Sequence, residues 1–270
     1  GVTFTTAPMA MKAETVLEIL EELLSPACII ALPDPVAEKR EKFRHPVGVL
    51  AGKMPDKLVA TENGIRYVVD VESAQRKMLY FDQRDNRAAV AANARGRVLD
   101  LYSYSGGFSL NCALSEDTQE VLAVDSSDGA RKMFEANISE NEIEKVVFLL
   151  REDVAKACRQ LDSKGELFDT VLLDPPRLVS ERRELRNGLK KYARINEMAL
   201  NAVAPGGLFV SCSCSGLVQP NDLLRSIAIA ASRAKRDVSL IEMRGQAPCH
   251  PVSPFCPETA YLKCALLLVR

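Results

Sequence analysis

Val98-Leu99-Asp100-Leu101-Tyr102-Ser103-Tyr104-Ser105-Gly106-Gly107-Phe108 is the stretch that decides the fold. Its first five residues predict a strand, and the small residues after them predict a turn that opens a helix. Two adjacent glycines let the backbone approach a ligand closely, and the amino end of a helix favours polar or anionic groups. The turn is not a G-x-G-x-x-G pattern, so the sequence does not imply a bound dinucleotide.

Outward from this turn, strand-like and helix-like segments alternate through residues 96–270. The alternation predicts an α/β fold in which a seven-stranded, mostly parallel sheet carries helices on both faces. A proline-containing loop without a helix joins the last two strands, which predicts a final hairpin with one antiparallel strand. The predicted strands cover residues 98–102, 121–125, 146–150, 170–174, 208–212, 238–243 and 261–269, and helices include residues 127–140, 153–163 and 221–235.

A smaller α+β region is predicted for residues 1–95, ahead of the main domain at 96–270. Apolar residues recur in helical register at 14–24, and a polar stretch with several prolines follows at 33–55. Two apolar runs, 57–61 and 65–71, flank the turn Glu62-Asn63-Gly64. Asn-Gly between such runs is the strongest short signal for a β-hairpin.

Composition limits the function classes. The chain has 270 residues, of which 47% are hydrophobic and 26% charged, and this balance is typical of a globular protein with a large core. No apolar run approaches the ~18 residues that would span a bilayer. The formal net charge of −1 means that a nucleic-acid partner would need a local basic patch. Eight irregularly spaced cysteines favour reduced thiols over a disulfide scaffold.

Aspartates follow successive predicted strands near the glycine turn. Asp125 ends the second strand, where an acidic residue can bind two ribose hydroxyls, and Asp153 follows the third, where it could bind an adenine amine. Each has a structural alternative as a helix N-cap, since Asp153 begins a predicted helix and Asp125 precedes Ser126 and Ser127. Their common position beside the Gly-Gly turn favours a ligand site.

A thiol and a carboxyl group are predicted at the ends of two neighbouring strands. Residues 208–210 lead into Ser211-Cys212-Ser213-Cys214-Ser215-Gly216, and residues 170–173 lead into Asp174-Pro175-Pro176. This pair suggests covalent chemistry on a planar ring, with a cysteine as nucleophile and the acid as polariser. The alternative for either cysteine is a small core residue, and Cys212 fits that alternative better because it belongs to the apolar strand.

Two further clusters of residues stand out in the sequence, one basic and one rich in cysteine. A basic run follows the Asp-Pro-Pro turn and could be a solvated helix face or a track for RNA phosphates; it comprises Arg182, Arg183, Arg186, Lys190, Lys191 and Arg194. Cys249-His250 with Cys256 and Cys264 does not match a zinc-ligand spacing, so no metal site is predicted.

Several segments, in order along the chain, resemble class I S-adenosylmethionine-dependent methyltransferases. More narrowly, the chain is similar to the bacterial-type family that makes 5-methylcytosine in large-subunit (23S-type) ribosomal RNA, whose members usually begin with a PUA-type RNA-binding domain that is absent here. The segments are Glu62-Asn63-Gly64-Ile65-Arg66, Phe81-Asp82-Gln83-Arg84-Asp85-Asn86-Arg87, Tyr104-Ser105-Gly106-Gly107-Phe108, Asp174-Pro175-Pro176, Ser213-Cys214-Ser215-Gly216-Leu217, His250-Pro251, Pro257-Glu258 and Tyr261-Leu262-Lys263.

The resemblance implies S-adenosyl-L-methionine as methyl donor and a Rossmann-like methyltransferase fold. It implies Cys214 as the covalent nucleophile and Asp174 as the residue that contacts the base. Residues 81–87 would close over the donor, although a charged helix start is the alternative for this segment. The implied donor-binding residues are Phe81, Gln83, Arg84, Asp100, Tyr102, Ser103, Gly106, Gly107, Phe108, Asp125, Ser126, Asp153 and Asp174.

The implied function is cytosine-C5 methylation of large-subunit ribosomal RNA through a Cys214 adduct. One alternative is guanine-N2 or other base methylation by a related family, whose members tend not to carry the cysteine. Another is a ribosome-assembly factor that binds RNA without catalysis. The resemblance implies a cytoplasmic enzyme, or an organellar one in a eukaryote, and no membrane partner. It leaves open the target nucleotide, the proton-removing base and the oligomeric state, for which a homodimer is one option.

Overall fold

The computed structural model describes residues 1–69, 79–144 and 146–270. The chain forms two compact units. One comprises Gly1–Ala60 with Val68–Met78, and the other comprises Thr61–Tyr67 with Leu79–Arg270. Residues 79–95, which precede the predicted domain boundary, belong to the larger unit.

The described residues of the smaller unit include three helices and a pair of strands. Helices α1 (Ala7–Ala10), α2 (Ala13–Leu24) and α3 (Pro35–Glu41) accompany strands β1 (Cys28–Ala31) and β2 (Gly48–Gly52), which pair antiparallel. Asp34 caps α3, because its carboxylate accepts hydrogen bonds from the Val36 and Ala37 amides at 2.9 and 3.1 Å. The sequence predicts no element within residues 33–55, because elements this short lack a clear hydrophobic period.

The predicted hairpin is present as β3 (Leu58–Glu62) and β4 (Ile65–Val69). Its two turn residues, Asn63 and Gly64, have φ angles of 53° and 80°. Positive φ at both positions is what a tight hairpin turn requires, and asparagine and glycine adopt it at low cost. The end of the predicted second strand, at residues 70–71, lies outside the described residues.

The larger unit is built on a seven-stranded sheet in the order β10-β11-β9-β8-β5-β6-β7. Strands β5 to β9 run parallel to one another, whereas β11 is antiparallel to both of its neighbours. The prediction of a mostly parallel seven-stranded sheet that ends in a hairpin is therefore confirmed. The strands are β5 (Gly96–Leu101), β6 (Thr118–Asp125), β7 (Val147–Arg151), β8 (Phe168–Leu173), β9 (Val203–Ser213), β10 (Val238–Arg244) and β11 (Lys263–Val269).

In the larger unit, a helix precedes β5, and a helix follows each of the strands β5 to β9. They are α4 (Arg84–Ala91), α5 (Gly107–Ala113), α6 (Asp128–Glu140), α7 (Val154–Ser163), α8 (Leu185–Asn201) and α9 (Pro220–Ala234). The interior is apolar and includes the fully buried rings of Phe168, Tyr192 and Phe209. Across the three described ranges, no helix has the length and apolar character needed to cross a membrane.

The strand order positions the site. From β5 the chain proceeds outward to β6 and β7, then crosses back so that β8 and β9 lie on the other side of β5. In an open parallel sheet, this reversal leaves a crevice at the carboxyl ends of the strands, where ligands bind. The glycine turn follows β5 and therefore lies at this crevice.

Candidate active site

The turn after β5 has an unusual backbone. Tyr102, Tyr104 and Gly106 have φ angles of 65°, 48° and 87°. For a tyrosine this region costs on the order of 1 kcal/mol or more, and such strain concentrates at functional sites. A side chain at Gly106 would overlap the Phe134 ring of α6, so the absence of a Cβ brings helix and turn together.

Asp100 lies beneath this turn, with only 1% of its surface exposed. One carboxylate oxygen, Oδ2, accepts hydrogen bonds from the Ser109 amide and hydroxyl at 3.1 and 2.6 Å. The other, Oδ1, has no hydrogen-bond partner among the described residues. Burial raises the pKa of Asp100 to about 6. A buried carboxylate oxygen without a partner favours a ligand that carries N–H groups or positive charge.

The structure separates the alternatives for Asp125 and Asp153. Asp125 is not a helix cap, because Ser127 caps α6; its carboxylate accepts from the Tyr104 amide at 3.0 Å and the Ser127 amide at 2.8 Å. Asp153 is the N-cap of α7, as its Oδ1 accepts from the Lys156 amide at 2.9 Å. Both carboxylates lie near Tyr102, since burial and then Asp153 and Asp125 raise the pKa of that phenol.

Asp174 follows β8 at the same edge of the sheet. Its amide donates to the Leu101 carbonyl at 3.3 Å, and its Oδ2 accepts from Nε2 of Gln83 at 3.1 Å. Burial, with a further contribution from Asp100, raises the pKa of Asp174 to about 7. Near neutral pH this carboxyl group can therefore both hold and release a proton.

A chain of hydrogen bonds orients Gln83, the side chain that donates to Asp174. Nε of Arg244 donates to Oδ1 of Asn86 at 3.1 Å, and Nδ2 of Asn86 donates to Oε1 of Gln83 at 2.7 Å. Because arginine can only donate, it fixes both amide orientations, and Gln83 must present an N–H group to Asp174. We call Arg244, Asn86 and Gln83 the amide relay. Sequence reasoning identified Gln83 and missed the other two, although Asn86 lies within the same recognised segment.

Phe81, Gln83 and Arg84 are the residues of segment 81–87 that are predicted to bind the donor, and their surroundings differ. Gln83 is buried and contacts Asp174, whereas the Phe81 side chain is 48% exposed and Arg84 pairs with Asp85 at 2.9 Å. Arg87 is buried and forms an ion pair with Glu62 at 3.1 Å. Donor contacts for Phe81 and Arg84 stay predictions.

Tyr80 and Asp82 link this segment to other parts of the larger unit. The Tyr80 and Tyr104 rings meet edge to face, with centroids 5.4 Å apart. Asp82 accepts a hydrogen bond from the Tyr261 hydroxyl at 2.6 Å. Segment 81–87 therefore borders both the glycine turn and the loop that precedes β11.

Cys214 is the first residue after β9 and is partly buried. Strands β9 and β8 are neighbours, with Ser211 opposite Leu173, so Cys214 and Asp174 leave adjacent strands at one edge. Burial raises the pKa of the Cys214 thiol, Asp174 raises it further, and Arg177 lowers it. The predicted nucleophile and the predicted acid are thus brought together.

The residues at 213–216, here the cysteine turn, are fixed by a buried network. The Ser213 hydroxyl donates to the Tyr192 hydroxyl at 2.9 Å, and the hydroxyls of Tyr192 and Ser215 lie 3.1 Å apart. Ser215 also accepts from the Val179 amide at 3.2 Å, which ties the turn to the loop after Asp174. On the other side, Nζ of Lys263 donates to the Ser215 carbonyl at 2.7 Å. Sequence reasoning did not find Tyr192 or assign a role to Lys263.

Cys212 is an interior residue, as its position in an apolar strand suggested. Only 1% of it is exposed, and it lies directly opposite Cys264 in the antiparallel β9–β11 pair. A hydrogen bond with Cys264, together with burial, raises the pKa of Cys212 well above the ordinary value. A protonated, enclosed thiol is a poor nucleophile.

The basic run follows the Asp174 loop along the chain. It spans a short 3-10 helix at Arg182–Glu184 and the first part of α8, and all six of its side chains are exposed. Arg183 pairs with Glu181 at 2.7 Å. Within the part of the chain that the structure describes, no group of three or more histidine, cysteine or acidic residues could hold a metal ion.

Comparisons with known proteins agree with this architecture. A ribosomal RNA large subunit methyltransferase I from Aeromonas salmonicida is 35% identical over 261 residues, which cover 95% of this chain and 65% of the relative. The chain thus spans about two thirds of that relative's length.

Two solved structures share the fold at low identity. SMU.776, assigned as a methyltransferase and solved with SAH, has a TM-score of 0.72 at 21% identity, over 82% of this chain and 58% of that one. A tRNA m1G37 methyltransferase from M. jannaschii has a TM-score of 0.60 at 19% identity, over 94% and 66%.

A family model provides the remaining evidence. The model for S-adenosylmethionine-dependent methyltransferases matches residues 12–266, which is nearly the whole chain. A parallel sheet with a reversal at β5, a strained glycine turn at its carboxyl edge and carboxylates after successive strands agree with that match. The chain belongs to the S-adenosylmethionine-dependent methyltransferase family.

Proposed function

We propose that the chain methylates carbon 5 of cytosine in large-subunit ribosomal RNA, with Cys214 as the covalent nucleophile. The observation that carries the proposal is the pairing of two reactive groups at one edge of the sheet. The partly exposed Cys214 thiol follows β9, and the Asp174 carboxyl group follows the adjacent strand β8. Methylation of a ring nitrogen or an exocyclic amine needs no such thiol, whereas carbon 5 of cytosine does.

The choice of RNA has two supports. The relative from Aeromonas salmonicida acts, by its name, on large-subunit ribosomal RNA, and 95% of this chain aligns with it. The six exposed basic side chains at residues 182–194, which follow the Asp174 loop along the chain, offer positive charge for phosphates. The net charge of −1 makes such a local surface necessary for RNA binding.

The residues of the crevice fit S-adenosylmethionine. The unpartnered Oδ1 of Asp100 is suited to the positively charged part of the donor. Asp125 is held beside the glycine turn, where a carboxylate can accept from ribose hydroxyls, and Asp153 follows the next strand. When bound, the donor supplies an electrophilic methyl group.

The remaining chemistry belongs to the side chains of this chain. A base flipped out of the RNA would meet Cys214 and Asp174 together. The Cys214 sulfur bonds to carbon 6 of the ring, and the electron pair displaced from the carbon 5–carbon 6 bond makes carbon 5 nucleophilic. Asp174, when protonated, donates a hydrogen bond to the ring nitrogen and stabilises the charge that develops. After carbon 5 is methylated, a base takes the proton from carbon 5, the electron pair of that C–H bond re-forms the carbon 5–carbon 6 double bond, and the Cys214 thiolate leaves carbon 6.

The test is methyl transfer to unmodified large-subunit ribosomal RNA, with the methylated nucleoside identified by mass spectrometry. We expect 5-methylcytidine from the wild-type chain and none from Cys214→Ala. A methylated guanosine would support the related-family alternative and overturn the proposal. Donor binding without any transfer to RNA would favour a binding factor, and 5-methylcytidine from Cys214→Ala would remove the cysteine from the mechanism.

A further inference from the structure

Lys263 is a buried lysine beside the cysteine turn, and the mechanism above does not use it. It begins β11 opposite Ser213 of β9, and only 3% of its surface is exposed. Its ammonium nitrogen donates to the Ser215 carbonyl at 2.7 Å and to the Tyr261 carbonyl at 2.8 Å. A buried cation is costly unless its surroundings compensate, and two carbonyl oxygens provide part of that compensation.

The charges around Lys263 come from three other elements. Burial lowers the pKa of Lys263 to about 8, Cys214 and Asp222 act to raise it, and Arg177 acts to lower it. Both carbonyl hydrogen bonds also favour the charged form. Lys263 is therefore a cation at neutral pH. An ammonium group has three donors, so one N–H remains after the two carbonyls are satisfied.

At Cys214 the surroundings mostly disfavour the charged form of the side chain, the thiolate. Its thiol pKa is raised by burial, by Asp174 and by Asp82, and of the charged neighbours that act on it most strongly only Arg177 lowers it. A nucleophilic thiolate in this position needs a cation close by, because the thiolate is the form that attacks. Arg177 is exposed, whereas Lys263 is buried and bonded to the carbonyl of the residue that follows Cys214. The two groups are coupled, because Cys214 acts to raise the pKa of Lys263.

We propose that Lys263 is the positioning residue of the cysteine turn: its ammonium group holds the Ser215 carbonyl in place, and its charge favours the thiolate of Cys214. This deepens the proposed function and rests on it for its catalytic meaning. The charge effect is a property of the free protein. It can therefore be measured without RNA or donor, and its failure would be distinct from failure of the proposed function.

The experiment is alkylation of Cys214 by iodoacetamide across pH 6.5 to 10, with the modified residue assigned by mass spectrometry. Lys263→Met removes the charge at similar length, and Lys263→Arg keeps it. We expect Lys263→Met to slow alkylation at pH 7.5 about tenfold, because one unit of thiol pKa changes the thiolate fraction tenfold. Lys263→Arg should retain most of the wild-type rate. Lys132→Met, which removes an exposed lysine of α6, is the matched control.

Three outcomes would overturn the proposal. A folded Lys263→Met variant with the wild-type alkylation profile would reduce Lys263 to a structural role. Loss of reactivity in Lys263→Arg equal to that in Lys263→Met would indicate a proton acceptor instead, since arginine stays charged. If Lys263→Met does not fold, the pH dependence of Cys214 alkylation in the wild-type protein still tests the proposal. Two coupled groups broaden the titration, so a single unit-slope curve would contradict the proposal.

Discussion

Cys212 and Cys214 have the same side chain and lie two positions apart, yet their surroundings differ. Cys212 is enclosed in the sheet against Cys264, and Cys214 is partly exposed at the edge of the crevice. Thiol reactivity depends on exposure and on the ease of forming the thiolate, so we expect only Cys214 to react with a base.

RNA that contains 5-fluorocytosine should distinguish the two cysteines, because it traps the covalent adduct between enzyme and base. The fluorine at carbon 5 cannot leave as a proton does, so the enzyme stays attached after methyl transfer. We expect a denaturation-resistant adduct with the wild type and with Cys212→Ala, and none with Cys214→Ala. Cys212→Ala should lower stability by about 1 kcal/mol through a small cavity. An adduct with Cys214→Ala would contradict the mechanism.

Asp174 should shape the pH dependence of methyl transfer. With a pKa of about 7, its carboxyl group is protonated below that pH and loses its hydrogen-bond donor above it. The Cys214 thiolate fraction rises over the same range. The two opposing effects should give a single-turnover rate that levels off above about pH 7.

Asp174→Asn separates these two effects. Its amide donates at every pH, so the rate should be lower overall but should keep rising with pH where the wild type is level. Single-turnover rates from pH 6 to 9 test this expectation. The same plateau in both proteins would show that Asp174 does not titrate in the reaction.

At the scale of elements, the amide relay joins the start of α4 to the end of β10. Arg244 donates a hydrogen bond to Asn86, Asn86 donates to Gln83, and Gln83 donates to Asp174. Each hydrogen bond fixes the orientation of the next side chain. Gln83 donates directly to Asp174, so we expect the relay to influence the reaction through that carboxyl group.

Asn86→Leu keeps the branched shape of the side chain and removes the polar groups that form the relay. We expect the methyl-transfer rate to fall about tenfold, since a freed Gln83 can turn either its oxygen or its nitrogen toward Asp174. The pH profile should also shift, because the pKa of Asp174 rises when the Gln83 donor is lost. Asn93→Leu is the control, as Asn93 near the end of α4 donates only to the nearby Ala89 carbonyl. Equal rates and profiles for both variants would reject the relay.

At the scale of the whole molecule, the proposed binding of RNA by a nearly neutral chain requires a local basic surface. The basic run is exposed along one side of α8 and the short helix before it. Counterion release makes such binding strongly salt-dependent, with a log–log slope of about 0.7 to 0.9 per neutralised phosphate.

Replacing Arg182, Arg183 and Arg186 by glutamine should therefore flatten the slope by about 2 to 3 units. RNA-binding titrations at several salt concentrations measure the effect. A control set, Arg159, Lys164 and Arg233, is also exposed but lies on α7, directly after it and near the end of α9. An unchanged slope in the first variant, or equal flattening in both, would make the run a solvated helix face.

Local patterns along the sequence determined much of this protein. Hydrophobic period and turn chemistry act over a few residues, and they predicted the seven strands of the sheet, the Asn63-Gly64 hairpin and the glycine turn. The same reasoning placed Cys214 and Asp174 at the ends of neighbouring strands, because parallel strands end at one edge of a sheet.

Only the tertiary structure decided which residues, distant in sequence, form hydrogen bonds with the groups at that edge of the sheet. Lys263 meets Ser215 across 48 positions, and Arg244 meets Asn86 across 158. The structure also shows that Asp153 caps α7 and that Arg84 pairs with Asp85. The physical reason is that strand register and helix packing bring together side chains that no local pattern relates, so their hydrogen bonds exist only once the sheet has formed.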